Sequence, residues 1–336
     1  MRITYKAMTT KYTKNLSSLS TGLNNLNNQV ASGRKYSRTS EDVSSAIKGY
    51  QIRRSLSKVS TYQDNISHAQ DFLTNSESTL SGIEDSLTEA TGKTLQGMNA
   101  SQSSGERKII ATELRTIQDQ LLQTLNTTSS DSYIFGGSNT ETKPFTVVGG
   151  KLLYNGNDVD SLTDGSDALK ALKNDTMYVD IGLGVAFKPD GTVDSNSVFN
   201  YSFAGISIVG NGTTTIDGVT GPVSNNFYNL LGQIADEFES TDYSDTTADS
   251  LYGHLKEVAQ KSYQTTTEIG AKENYLDFMT SRYETQDYNL QARQTEVEGV
   301  DATAVYIDYK TQSAAYQAAL QMGNSVIQQS VFDYMS

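Results

Sequence analysis

The sequence predicts a mainly α protein with a β-rich insert, in which long coiled-coil-like terminal helices run antiparallel and pack on each other. Three observations predict it. Pro144, Pro189 and Pro222 are the only prolines and all lie in the middle third, so neither flank contains the residue that breaks a helix interior. Both flanks carry apolar residues at heptad spacing. Between them the chain turns Gly-rich and β-favouring.

On the N-terminal flank, Met8, Tyr12, Leu16, Leu19, Leu23, Leu26 and Val30 step by threes and fours, one stripe on one helix face. Gly33 and the polar run Ser37 to Ser45 should end that helix. A second frame follows, with Ile52, Val59, Ile66, Leu73, Leu80 and Leu87 at sevens. Tyr62, Ala69, Ile83 and Ala90 fill most intervening positions, with Ser55 and Ser76 as weak ones. At 1.5 Å per residue this helix would be about 58 Å long. After a Gly/Ser-rich gap near Gly97 to Gly105, Ile110, Leu114, Ile117 and Leu121 mark a third.

The C-terminal flank reads as one continuous frame: Ser262, Ile269, Leu276, Tyr283, Leu290, Val297, Ala304, Thr311 and Ala318 recur at sevens. Lys272, Gln286 and Arg293 spoil intervening positions, so this seam is imperfect and helical propensity alone would leave it marginal. Residues 225–239 and 248–262 are expected to be helical and to lead into it.

In the middle, turn pairs such as Asn155-Gly156 and Asp190-Gly191 separate candidate strands at Phe145 to Val148, Met177 to Ile181, Val198 to Phe203 and Ile206 to Val209.

Charge is segregated. Residues 1–60 hold 11 Lys/Arg against two acids, a net of +9, while residues 139–250 hold 16 acids against five lysines, a net of −11; the whole chain carries −13. The basic arm borders an apolar stripe and contains no nucleic-acid-binding motif, so no nucleic acid partner is expected. No run of about 18 apolar residues codes a membrane span, and residues 1–13 contain no apolar core of a secretory signal. No membrane association is expected.

The absence of cysteine excludes disulfides, thiolate metal sites and Cys nucleophiles. His68 and His254 are the only histidines, and neither stands in a metal-ligand or catalytic pattern. Gly182-Leu183-Gly184 lacks the third glycine and the lysine of a phosphate loop. Asp190 to Asp194 lacks the order of a calcium loop and reads as a hairpin turn. No catalytic, metal or cofactor-binding residue is nominated, and an enzyme is not expected.

Two segments carry a resemblance. Gln29-Val30-Ala31-Ser32-Gly33-Arg34-Lys35 followed by Ser40-Glu41-Asp42 resembles the N-terminal segment of the flagellin superfamily, with Glu41 where that family has Asp. Tyr133-Ile134-Phe135-Gly136-Gly137-Ser138-Asn139-Thr140-Glu141-Thr142-Lys143-Pro144-Phe145 resembles the members that join hook to filament. So do Met1 to Thr4. At the other end, Ile269-Gly270-Ala271-Lys272, Gln312 to Leu320 and Ser330 to Tyr334 are similar to the family's C-terminal elements. The likeness covers about residues 1–145 and 245–336.

The resemblance implies flagellin-like inner domains: 1–45 with 300–336 as a terminal assembly domain that orders on assembly, 46–145 with 245–299 as a helical bundle with a β-hairpin, and 146–244 as an outer variable domain. It implies a structural adaptor of the bacterial flagellum, exported by the flagellar type III apparatus to the outside of the cell. Its implied partners are hook-associated protein 1, flagellin, further copies of itself in a ring, and an export chaperone. Filament flagellin and a secreted coiled-coil effector or adhesin are the alternatives.

The assembly interface is expected at Leu16, Leu19, Leu23, Leu26 and Val30, facing Val300, Ala304, Ile307, Ala314 and Ala318. Val326, Ile327, Val331 and Phe332 are the expected chaperone-binding cluster.

Overall fold

A computed structural model describes residues 5–99 and 101–328. In chain order these form α1 (Tyr5–Ser32), α2 (Val43–Gly97), α3 (Ser104–Leu125), β1 (Thr128–Ser129), β2 (Ser132–Tyr133), β3 (Phe145–Val148), β4 (Lys151–Tyr154) and β5 (Asn157–Asp158). A 3-10 turn at Val159–Ser161 follows, then α4 (Asp167–Asn174), β6 (Tyr178–Val179), β7 (Phe199–Asn200), α5 (Gly205–Val209), β8 (Thr213–Thr214), β9 (Val223–Ser224), α6 (Phe227–Glu239), α7 (Asp245–Glu298) and α8 (Ala302–Gln328). The chain divides into two compact units, residues 1–60 with 284–336, and residues 61–283.

In the unit of residues 61–283, α2 and α7 run antiparallel. Tyr62 and Tyr283 meet with ring centroids 5.6 Å apart. Gln70 donates to Asp277 at 2.8 Å, Thr74 to Glu273 at 3.3 Å and Thr266 to Glu84 at 2.6 Å. The partner numbers fall on one helix as they rise on the other. The heptad positions Ile66, Ala69, Leu73, Leu80, Ile83, Leu87 and Ala90 of α2 are buried, as are Val258, Ile269, Leu276, Met279 and Tyr283 of α7. The weak position Ser76 is also buried, and its hydroxyl is satisfied by the Phe72 carbonyl one turn back at 2.7 Å.

α3 starts at a capping box: the Ser103 hydroxyl accepts from Glu106 N, and the Glu106 carboxylate accepts from Ser103 N. Its buried row, Ile110, Leu114, Ile117, Leu121 and Leu125, packs on Phe227, Leu231, Ile234 and Phe238 of α6. The Arg115 guanidinium reaches Asp236 at 2.6 Å and Glu239 at 3.1 Å along the edge of that contact.

The insert is built from strands of two to four residues. β3, β4 and β5 form an antiparallel meander. Asn155 and Gly156, at φ 46° and 80°, make the tight turn between β4 and β5 that the sequence pair demands. The expected strands at 177–181 and 198–203 shorten to β6 and β7, which pair with each other.

Two sequence expectations change. Ile206 to Val209 is not a strand but part of α5, with Ile206, Ile208 and Val209 all buried. A short apolar run has no period that separates a buried strand from a buried helical turn. Second, the C-terminal flank is two helices rather than one. α7 stops at Glu298, and α8 restarts where the Asp301 carboxylate accepts from Thr303 N at 3.0 Å and Ala304 N at 3.1 Å. A β-carbon at Gly299 would collide with the Thr295 carbonyl, so glycine permits the break that a heptad count passes over.

Candidate assembly surface

In the unit of residues 1–60 with 284–336, α1 and α8 pack antiparallel. The row of α8 that meets α1 is Val305, Tyr309, Gln312, Tyr316, Ala319 and Gly323, all buried or half-buried and spaced by fours and threes. Tyr12 of α1 donates its hydroxyl to the Ala319 carbonyl at 2.7 Å. The lack of a β-carbon at Gly323 gives the Tyr12 ring room, and Gly22 of α1 does the same for the Gln312 side chain. Small residues let the two backbones approach closely at these points.

Leu16, Leu19, Leu23 and Leu26 are half-buried in this pair, and Val30 is exposed. The facing set differs from the expected one. Val300 is half-buried in the connector, while Ala304, Ile307, Ala314 and Ala318 form a second row of α8 that points away from α1, Ile307 being 58% exposed. The frame counted across Gly299 breaks there, so the register beyond it is set by Asp301 and not by the upstream heptads. Val326 and Ile327 fall in the last turns of α8, and Val331 and Phe332 lie outside the described residues.

α8 carries only two charged residues, Asp308 and Lys310. Among the described residues one row of α8 is covered, while a second row that includes Ala304, Ile307, Ala314 and Ala318 is apolar and exposed. A half-buried Leu contributes roughly 1 kcal/mol, about half the value of full burial, so α1 and α8 hold each other by a thin contact.

The joints that launch α1 and α8 are tied together. Arg34 and Gly299 form an antiparallel bridge. Val300 N donates to the Gly33 carbonyl at 3.1 Å, Lys35 N to the Glu298 carbonyl at 2.8 Å, and Lys35 Nζ to the Glu296 carbonyl at 2.8 Å. Gly33 takes φ 65°, the left-handed turn that ends α1. Beneath this ladder the Glu298 carboxylate is buried. It meets Arg53 Nη1 at 2.9 Å and fills the space left by the missing side chain of Gly49. Burial and then the Glu298 charge hold the Tyr36 hydroxyl above its usual range.

The family-like segment after Gly33 is a turn made by its own side chains. Glu41 accepts from Ser37 N at 2.8 Å, a bond that holds its carboxyl below the usual range, and Asp42 caps α2 by accepting from Ser45 N at 3.0 Å. Glutamate in place of aspartate at 41 therefore still closes the turn.

The most distinctive sequence stretch, Tyr133 to Phe145, is structural. Ile134, Phe135 and Phe145 are fully or almost fully buried. The Phe135 carbonyl accepts from the Tyr154 hydroxyl at 3.1 Å and from Gly205 N at 3.0 Å, and Asn126 brackets Phe145 with bonds of 3.0 Å to its N–H and its carbonyl. This knot anchors the insert to the end of α3. No helix among the described residues is long and apolar enough to cross a membrane.

Comparison with known proteins agrees with this anatomy. Residues 3–140 match the model of the bacterial flagellin N-terminal helical region. The chain is 22% identical over 293 residues to flagellar hook-associated protein 3 of Escherichia coli, covering 87% of this chain and 86% of that one. It is 26% identical over 179 residues to flagellar hook-associated protein 3 of Salmonella typhimurium, 52% and 56% of the two chains. Its fold is shared with a solved structure described as a flagellar hook-associated protein of Vibrio parahaemolyticus, at a TM-score of 0.60 and 20% identity, covering 77% of this chain and all of the other. The chain is thus similar at its N-terminus to the helical region of the bacterial flagellins and, along most of its length, to flagellar hook-associated protein 3.

Proposed function

We propose that the chain is a non-catalytic structural adaptor of the bacterial flagellum. It joins the hook, through hook-associated protein 1, to the first layer of flagellin, as a ring of copies outside the cell. The observation that carries this reading is the α1–α8 pair: a thin two-helix contact whose outer row, Ala304, Ile307, Ala314 and Ala318, stays uncovered on a nearly uncharged helix. Packed beside the same pair in neighbouring subunits, that apolar row is taken out of water. The likeness to hook-associated protein 3 over 87% of the chain supports the place in the flagellum.

In this reading the paired ends, 1–45 and 300–336, are the assembly domain, 46–145 with 245–299 the helical bundle, and 146–244 the outer domain. The chain leaves by the flagellar type III apparatus. Val326, Ile327, Val331 and Phe332 dock the export chaperone, and truncation after Gln321 is expected to reduce secretion.

Filament flagellin is the second reading, favoured by the match of residues 3–140 to the flagellin N-terminal region. Polymerisation of the purified chain by itself into long filaments would select it. The junction reading is tested by deleting the gene and restoring it with Leu23→Asp. Deletion should give bare hooks and flagellin lost to the medium, and the variant should fail to restore filaments. Normal filaments in either strain would remove the proposal.

A further inference from the structure

The outward face of the first turns of α2 is apolar and exposed. Val43, Ile47 and Tyr50 are 60, 55 and 65% exposed, and with Arg54 and Lys58 they step by threes and fours into one row. Ala46, Gly49, Ile52 and Val59 on the opposite side are buried. Three large apolar side chains in consecutive turns, leading into two cations, form an amphipathic strip that none of the other described residues covers.

The same unit holds its complement. Residues 1–60 carry 11 Lys/Arg against two acids, whereas residues 284–336 carry seven acids against two bases. Among the described residues one ion pair, Arg53 with Glu298, joins the two stretches. On α7, Glu284, Tyr288, Gln291 and Thr295 form an exposed row, with Asp287 half-buried beside it and Tyr288 73% exposed. One strip is apolar and aromatic with cations; the other is aromatic with anions.

We propose that the α2 strip of one copy of this chain receives the α7 row of the next, with Tyr50 and Tyr288 as the buried anchors and Arg54 and Lys58 opposite Glu284 and Asp287. The occupant is a second copy because this chain supplies both halves. Paired with itself in antiparallel fashion, the α2 strip would set Arg54 and Lys58 against Ile47 and Val43, whereas the α7 row offers them Glu284 and Asp287. The contact is therefore head-to-tail, the type that closes rings or runs on as a helix, and charge of opposite sign fixes which faces meet. This deepens the junction reading, on which it rests, by naming the contact between neighbours.

The lack of cysteine allows a direct test on the purified full-length chain. Tyr50→Cys and Tyr288→Cys variants are mixed, oxidised with copper phenanthroline and resolved by non-reducing electrophoresis. The expected result is a 50–288 disulfide dimer in the mixture and at least about a tenfold lower yield, equivalent to about 1.4 kcal/mol, with either variant alone. The dimer should disappear in about 1 M salt, where the screening length falls to about 3 Å. It should also disappear when Arg54→Glu and Lys58→Glu are added to the first chain, and return when Glu284→Lys and Asp287→Lys are added to the second.

Absence of the dimer, equal 50–50 and 50–288 yields, or a yield indifferent to salt and charge reversal would each overturn the proposal. The readout is a covalent dimer in solution, so its failure leaves the deletion phenotype untouched. Conversely, normal filaments in a deletion strain would remove the junction reading while leaving the dimer to stand.

Discussion

Arg53 Nη1 lies 2.9 Å from the Glu298 carboxylate, a charge that is almost wholly buried while its partner stays partly in water. The pair sits where α2 passes the end of α7 and holds the ladder from which α1 and α8 depart. Replacing Glu298 by Ala leaves a guanidinium that can rehydrate, so the cost should be about 1–3 kcal/mol, below that of breaking a pair buried at both ends. Gly49→Ala should act on the same contact, because its β-carbon would displace the carboxylate. Urea denaturation of both variants checks this; an unchanged midpoint would show that the pair is incidental.

Tyr12 and Gly323 provide the second prediction. Tyr12→Phe removes the bond to Ala319 and should cost about 0.5–1.5 kcal/mol, seen as faster amide exchange in α1 with α2 unchanged. Gly323→Leu places a side chain where the Tyr12 ring lies. Its cost should be about 1–3 kcal/mol of overpacking, enough to separate so thin a pair. Slow exchange in α1 of Gly323→Leu would contradict the packing described.

Asp160 is the third. Its carboxylate accepts from the Ser224 hydroxyl at 2.6 Å, the Asn226 amide at 2.7 Å and the Asn229 amide at 2.8 Å. It thereby ties the 3-10 turn after β5 to the start of α6. Asp160→Ala removes the shared acceptor of three donors, of which Ser224 and Asn226 keep bonds to each other, and should destabilise the unit of residues 61–283 by about 1–3 kcal/mol, measured by thermal unfolding. Secretion and α1–α8 pairing should be less affected than the melting temperature.

Alkaline pH gives the fourth. Burial pushes the Tyr154 hydroxyl up to about 12 from an ordinary 10. Between these values the unfolded chain has lost the proton and the folded chain has kept it, so stability falls as pH rises from about 10 to about 12. The stabilisation is fully present below pH 10. Two pKa units correspond to about 2–3 kcal/mol. Tyr154→Phe should be less stable at neutral pH, having lost its bonds to Phe135 and Gly205, and should show a shallower decline across that window.

The long helices were legible because heptad spacing reports burial directly. Leu73, Leu80 and Leu87 recur at sevens and are buried at sevens. Pairing was less legible, since spacing names a face without naming what covers it. Ile307 and Ala314 looked like the partners of Leu23, but α8 begins afresh at Asp301 and turns Gln312 and Tyr316 inward instead. A glutamine and tyrosines at a seam do not read as core until a glycine opposite, here Gly22, is seen to make room. The Arg53–Glu298 pair was hidden for a similar reason. Its residues stand 245 positions apart, and the feature that admits the carboxylate is the absence of a side chain at Gly49.

The ladder from Gly33 to Val300 also fixes an order of events. Its two strands come from opposite ends of the chain, so closing it carries a large loop entropy that the intervening helices must first remove. A chain emerging from its N-terminus, whether from a ribosome or a narrow channel, carries α1 without its counterpart until nearly everything else has arrived. The α1–α8 pair can form only once α8 has arrived, and for that interval the Leu row of α1 is open to whatever it meets first.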